Sequence, residues 1–306
     1  MENNVLLIIN PVSGDGAARR WLYDMVEILS ERFSFVNVYF SRGVGDIIRV
    51  VKENAANYSA VICSGGDGTL NEMLTGVEHS GESPMLAYLP MGTVNDFAHS
   101  HGISLNIKTT LKDIVDGSVR DYDLGMLGGR PFSYVAAFGA FTQVAYETPQ
   151  ELKASLGRLA YISEAAKSIV HLKPIHLKYT AGDATAEGDF IYGMVSNSIS
   201  VGGIHFFEGA DDEMLRDGLL EVTLVRFPNN PVELTEAING LLNPKSESQL
   251  VIKMRVSDIR FEFDMPTPWT VDGEYGGTFA MTNIRVLPHR IRLICGKTFS
   301  EERKNK

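Results

Sequence analysis

Gly65-Gly66-Asp67-Gly68-Thr69-Leu70-Asn71-Glu72 packs three glycines, an aspartate and a threonine into five residues. Glycine permits positive φ and lets the main chain come close to a ligand. A helix opening behind such a turn aims free N–H groups and the positive end of its dipole at an anion. The chemistry this suits is phosphate binding. An ordinary strand-to-helix turn needs one glycine and an Asp cap, so the motif exceeds that need. No Gly-Lys-Ser/Thr follows, which excludes a P-loop, and Asn71 stands where the dinucleotide fingerprint has its last glycine.

Two further turns carry similar residue types. Pro90-Met91-Gly92-Thr93-Val94-Asn95-Asp96-Phe97-Ala98 again reads as a strand end running into a helix, with Thr93 or Asn95 as an ordinary cap. Asn10-Pro11-Val12-Ser13-Gly14 is a weaker signal, since Pro-Ser-Gly turns are common. Late in the chain stands Val271-Asp272-Gly273-Glu274. By itself, Asp-Gly there reads as a hairpin turn.

The elements that must position these turns follow from the apolar pattern. Val5–Ile9, Ser59–Cys63 and Met85–Leu89 are continuous apolar runs, the mark of strands buried on both faces. Phe35–Phe40 reads as a further strand. Trp21, Met25, Ile28 and Leu29, then Ile47, Val50 and Val51, then Leu70, Met73, Leu74 and Val77 fall at helical spacing. Helices are also expected over about 94–101 and 107–116. Strands separated by helices imply βαβ units and a parallel sheet, whose ligands bind at strand carboxyl ends. The turns at Asn10, Gly65 and Gly92 should therefore converge on one edge.

After Gly125 the pattern changes to β. Phe132–Ala137, Ile175–Tyr179, Phe190–Val195, Leu219–Arg226, Ile259–Met265, Thr278–Leu287 and Ile291–Cys295 read as strands of an antiparallel sandwich. Ile259, Phe261, Phe263 and Met265 alternate with polar residues and should share a buried face. Helices are expected near 150–170 and 231–241. The first of these carries Lys153, Arg158 and Lys167 beside Leu152, Leu156 and Tyr161. That composition suits a helix packed on a sheet, with a basic amphipathic membrane-docking face as the alternative.

Composition bounds the function classes. The 306 residues suit two domains, 44% are hydrophobic, and 28 basic against 38 acidic residues give a net charge of −10. That is not the basic footprint of a nucleic-acid binder. Cys63 and Cys295, the only cysteines, form no disulfide framework or zinc spacing. No apolar run is long enough for a membrane span or a signal peptide, so a cytoplasmic setting is expected.

NPVSG, GGDGTLNE and PMGTVNDFA, in this order, resemble the diacylglycerol kinase catalytic family, which includes soluble bacterial lipid kinases and the sphingosine and ceramide kinases. The likeness extends through Asp217-Gly218-Leu219 to Asp272-Gly273-Glu274. It implies a nucleotide-binding α/β domain over 1–124 and a β-sandwich lipid domain over 125–306. It also implies an ATP-dependent kinase with Mg²⁺, working on a lipid hydroxyl at a membrane surface, with diacylglycerol the leading acceptor. Gly65, Gly66, Asp67, Gly68 and Thr69 would hold the ATP phosphates. Asn10, Ser13, Gly14, Gly92, Thr93 and Asn95 would complete the nucleotide pocket. Asp67, Asp96 and Asp123 would serve the metal, Asp272 would be the general base, and Glu274 would support it or the metal. Asp217 and Leu219 would belong to a second, structural Mg²⁺ site.

The chain departs from the family pattern in three places. Residues 207–212 lack the usual Ala-Pro, His99 stands where many members have Arg, and Asp15 stands where many have Lys. Arg19, Arg20 and Arg42 are the nearby basic residues that offer positive charge instead. The alternatives are an NAD kinase-like enzyme, which shares the Gly-Gly-Asp-Gly-Thr turn, and a non-catalytic nucleotide sensor. A homodimer through an exposed strand edge is open.

Overall fold

The computed structural model describes residues 3–140, 173–201, 206–209, 211–246 and 248–296. The helix expected near 150–170 lies outside them. The chain divides into two compact units. The first holds residues up to Leu124 and the chain from Pro288 onward, and the second is Gly125–Leu287. The residues from Pro288, expected in the C-terminal domain, therefore group with the N-terminal one.

In the first unit, β1 (Asn4–Ile9) runs parallel to β2 (Phe35–Phe40) on one side and β3 (Ala60–Gly65) on the other. β4 (Met85–Pro90) pairs in parallel with β3. The connections are α1 (Ala17–Arg20), α2 (Leu22–Leu29), α3 (Asp46–Asn54) and α4 (Asp67–Ser80). α5 (Asp96–Ser100) and α6 (Ile107–Asp116) follow β4. β1, β3 and β4 are buried almost throughout because helices cover them, which is why they read as unbroken apolar runs. The unit's core includes Leu7, Ile9, Met25, Phe33, Ile62, Leu89, Leu111 and Ile294. Gly76 brings α4 close to α3: a Cβ there would lie 2.7 Å from the Val51 Cβ.

In the second unit, β5 (Ser118–Leu127), which enters it from the first, turns back onto β6 (Arg130–Phe132). β7 (Val135–Gly139), β8 (Ile175–Ala181), β9 (Ala184–Ser196) and β10 (Leu220–Arg226) follow. After α7 (Pro231–Leu242) come β11 (Val251–Val256), β12 (Asp258–Val271) and β13 (Glu274–Cys295). The pairings within this unit are antiparallel, in the order β11-β10-β9-β7-β12-β13, with β8 between β9 and β12 over part of their length. Trp269, Phe138, Phe261 and Phe263 form an aromatic cluster in its core.

Three details differ from the sequence reading. Met265 is 75% exposed, not on the buried face with Ile259 and Phe261. The register of β12 against β13 shifts between Glu262 and Thr267, and such an irregularity breaks the two-residue alternation. The expected strand 132–137 is split into β6 and β7 at Ser133 and Tyr134. The two final strands are one, β13, whose end returns to the first unit and pairs in parallel with β4 at Leu293 and Leu86.

Candidate active site

The three turns of the first unit are tied to one another by named contacts. Asn10 extends β1, donating its N–H to the Ser64 carbonyl at 3.0 Å. Its side-chain Nδ2 donates to the Thr69 Oγ1 at 3.0 Å, which joins the first turn to the start of α4. Its Oδ1 accepts from the Val12 N–H at 3.2 Å, and Ser13 N–H donates to the Asn10 carbonyl at 3.3 Å, so Asn10 also shapes its own turn. Gly14 follows at φ +59°.

The glycine turns meet main chain to main chain. Met91 N–H donates to the Gly65 carbonyl at 2.7 Å. A Cβ on Gly92 would lie 2.6 Å from the Gly66 Cα, and one on Gly65 would lie 2.3 Å from the Thr69 Oγ1. Only glycine permits both approaches. Gly68 stays open at the surface and Thr69 is buried.

Asn95 and Asp67 divide the work of starting α5. Asn95 sits at φ +55°, a left-handed conformation that Asn tolerates. Its Oδ1 accepts from the Gly92 N–H at 2.9 Å and the Tyr88 hydroxyl at 3.0 Å, and its Nδ2 donates to the Gly92 carbonyl at 2.8 Å. That side chain therefore turns backward and does not cap the helix ahead. The carboxylate of Asp67 does so from another element, with Oδ2 accepting from Asp96 N–H at 3.3 Å and Oδ1 from Phe97 N–H at 3.4 Å. A negative charge at a helix N-terminus satisfies orphan donors and complements the dipole. Burial, with Asp67 adding its charge, pushes the Tyr88 phenol well up, so it stays a neutral donor to Asn95. Asp96 is buried and Thr93 is exposed. Asp123 is fully buried at the end of the first unit, where its Oδ1 accepts from the His289 N–H at 2.8 Å.

Asp272 and Glu274 belong to the second unit. Asp272 (φ +48°) and Gly273 (φ +82°) form the two-residue turn between Val271 and Glu274, a hairpin of the left-handed type that Asp-Gly favours. The Asp272 side chain does more than make a turn. Its Oδ2 accepts from the Ser133 N–H at 2.7 Å and the Ser133 hydroxyl at 2.8 Å. Its Oδ1 accepts from the N–H groups of Tyr134 at 3.1 Å and Val135 at 3.0 Å. The Ser133 and Tyr134 N–H groups are the ladder donors lost between β6 and β7, where the strand is split. Burial pushes the Asp272 carboxyl above its ordinary range, although the four donors pull the other way. Glu274 is exposed.

Asp217 and Leu219 lie ahead of β10. Asp217 Oδ1 accepts from the Leu219 N–H at 3.0 Å, and its Oδ2 meets the Arg255 guanidinium. Arg255 Nε also donates to Glu221 Oε1 at 3.2 Å. Burial pushes the Glu221 carboxyl up to about 8, against the pull of Arg255. The structure thus joins Asn10, Gly65–Thr69 and Gly92–Asp96 in one unit. It places Asp272 with Glu274 on a hairpin of the other, and Asp217 with Leu219 in a separate cluster of that same unit. The sequence reading missed Ser133, Arg255 and the bond from Gly45 N–H to Glu72 Oε1 at 2.8 Å, which pins the start of α3 to α4. A polar Ser133 inside an apolar strand pattern was the one local signal of these. Among the described residues no three His, Cys, Asp or Glu side chains cluster as a metal-binding group, and no helix is long and apolar enough to cross a membrane.

Comparison with known proteins bears on both units. Residues 4–127 match the diacylglycerol kinase catalytic domain, and residues 135–295 match the YegS C-terminal NAD kinase beta sandwich-like domain. The chain is 26% identical to the diacylglycerol kinase of Bacillus subtilis (strain 168), over 97% of each chain. It is 30% identical to that of Staphylococcus saprophyticus subsp. saprophyticus, over 90% of each. A crystal structure of a diacylglycerol kinase from Bacillus anthracis str. Sterne has the same fold, with a TM-score of 0.76 at 21% identity, covering 97% of this chain and 98% of that one. Another crystal structure from that organism gives a TM-score of 0.82 at 24% identity, covering 97% and 96%. The chain belongs to the diacylglycerol kinase family of lipid kinases.

Proposed function

We propose that this lipid kinase transfers the γ-phosphate of ATP to the free hydroxyl of diacylglycerol, giving phosphatidic acid. The observation that carries the reading is the joined set of turns at Asn10, Gly65–Thr69 and Gly92–Asp96. On this reading they are the nucleotide site, at the carboxyl ends of the parallel strands β1, β3 and β4. Gly65, Gly66 and Gly68 let main-chain amides approach the phosphates, and Ser13, Gly14, Gly92, Thr93 and Asn95 shape the rest of the pocket.

Asp67 and Asp96 supply oxygen donors of the kind Mg²⁺ prefers, and Mg²⁺ keeps several waters and takes substrate phosphates as ligands, so it does not require a third carboxylate. When bound, the ion neutralises charge on the phosphates. Asp123 also holds the main chain at His289 with its Oδ1. Asp272 takes the proton of the attacking hydroxyl. Its raised proton affinity suits a base, and of its four donors only the Ser133 hydroxyl can rotate away to admit the substrate. Glu274 supports the acceptor from the neighbouring position. The lipid acceptor implies work at a membrane surface, with the protein as a peripheral, cytoplasmic partner of the bilayer.

Incubation with labelled ATP, Mg²⁺ and either diacylglycerol vesicles, total lipid extract or NAD tests this reading. Labelled phosphatidic acid, identified by mass, is the expected product. Label in NADP alone, or in no acceptor, overturns it.

A further inference from the structure

The structural Mg²⁺ that the family resemblance implies at Asp217 and Leu219 does not fit the residues present. Asp217 already has a cation on it: its Oδ2 meets the Arg255 guanidinium, while its Oδ1 accepts from the Leu219 N–H at 3.0 Å. Arg255 is not a loose surface arm. It stands directly opposite Glu221 in the β10–β11 ladder, and its Nε donates to Glu221 Oε1 at 3.2 Å. The fully buried Glu221 is held there by the main chain of both strands.

We propose that the Arg255 guanidinium occupies the place of that cation, so this corner of the second unit is closed by an internal ion bridge and needs no metal. The guanidinium fork can reach two carboxylates at once, which a single ammonium does less well. Two register positions along, Lys253 faces Thr223, on the same side of β11 as Arg255. Its Nζ is buried and has no hydrogen-bond partner among the described residues. A divalent ion at Asp217 would have to displace the Arg255 guanidinium. Mg²⁺ also asks for an octahedral set of oxygens. Asp211 Oδ1 accepts from the Glu213 and Met214 N–H groups, and Asp212 pairs with Arg216 at 4.0 Å.

The test uses the full chain without nucleotide. Mn²⁺ serves as a spectroscopic probe of bound divalent ions, counted by electron paramagnetic resonance in wild type and in Asp217→Asn. Thermal unfolding is followed with EDTA and with Mg²⁺. We expect the same number of bound Mn²⁺ in both proteins, and the same Mg²⁺-induced shift in midpoint. Any ion at Asp67 and Asp96 cancels in that comparison. Arg255→Met should lower the midpoint by roughly 5–10 °C whether or not Mg²⁺ is present, because it leaves the Asp217 carboxylate without its cation and the buried Glu221 without its donor. Arg255→Lys should recover part of the loss. Loss of one Mn²⁺ equivalent in Asp217→Asn overturns the proposal, as does an unchanged midpoint in Arg255→Met. Should Arg255→Met fail to fold, the comparison of wild type with Asp217→Asn still decides. Kinase activity enters neither measurement, so a wrong lipid assignment leaves the test intact.

Discussion

Ser133 holds Asp272 twice, with its backbone N–H at 2.7 Å and its hydroxyl at 2.8 Å on the same carboxylate oxygen. The first bond is fixed by the main chain, and the second can be broken by rotation about one side-chain torsion. Both stabilise the charged carboxylate, against burial, which favours the neutral acid. Ser133→Ala removes only the movable donor. The proton affinity of Asp272 should then rise further, moving the acidic limb of the kcat/KM profile to higher pH. Stability should fall by about 1.5–3 kcal/mol, the range for a hydrogen bond to a charged group. An acidic limb that stays in place would show that Asp272 is not the titrating base.

Asp272→Asn keeps the shape of the side chain and removes its charge. Turnover should fall by roughly 10²–10⁴-fold, the usual contribution of a general base. Nucleotide affinity, measured by calorimetry, should stay within a few-fold of wild type, because the turns at Asn10, Gly65 and Gly92 are untouched. Near-wild-type turnover would remove Asp272 from the mechanism.

Gly92→Ala introduces a Cβ that would lie 2.6 Å from the Gly66 Cα and 2.8 Å from the Asn95 Oδ1. Neither the main chain of Gly66 nor the triply bonded Asn95 can give way cheaply. The two glycine turns should separate, and the KM for ATP should rise by about tenfold or more, as misplaced binding groups lose their alignment. Circular dichroism should show a folded protein. An unchanged KM for ATP would remove the Gly66–Gly92 contact from the nucleotide site.

His176 offers a pH test within the second unit. Its Nδ1 meets Asp189 Oδ1 at 2.7 Å and its Nε2 meets Glu187 Oε1 at 3.0 Å. The Asp189 bond, then the Glu187 bond, raise its pKa from 6.5 to about 9. The folded value lies above the unfolded one, so the imidazolium's stabilisation is complete below about pH 6.5 and disappears as pH rises through 9. The midpoint difference between wild type and His176→Gln should therefore shrink across that window. The site is exposed, so high salt should reduce the difference at every pH. A difference that stays constant from pH 6 to pH 10 would contradict this.

β1, β3 and β4 could be read from sequence because helices bury both of their faces and force unbroken apolar runs. α6 and β2 fall on the residues expected for them. The ties between distant residues could not be read. Nothing near Asp67 says that its carboxylate will serve amides 29 and 30 positions later. Nothing near Asp217 points to Arg255, since both the partner and the register of β10 against β11 are set by tertiary packing. Met265 was misplaced for a related reason: a register shift cannot be seen in an alternation that continues past it. Asp272 was legible as a turn residue and, through the resemblance, as a functional one. Its four donors were not, because three of them lie in a gap between two strands that the pattern had joined and the fourth, the Val135 N–H, opens the second strand.

Residues 125–287 are contiguous, whereas the first unit is made of two separate stretches of chain. The second unit is thus an insertion into the first, entered after Leu124 and left at Pro288. Asp123 and His289, hydrogen bonded at 2.8 Å, stand on either side of its neck. During synthesis the inserted unit leaves the ribosome whole, while its host still lacks the strand end that pairs Leu293 with Leu86. The host can close only after its guest has emerged, and the buried carboxylate of Asp123 waits for the backbone of His289 until the whole inserted unit has been made.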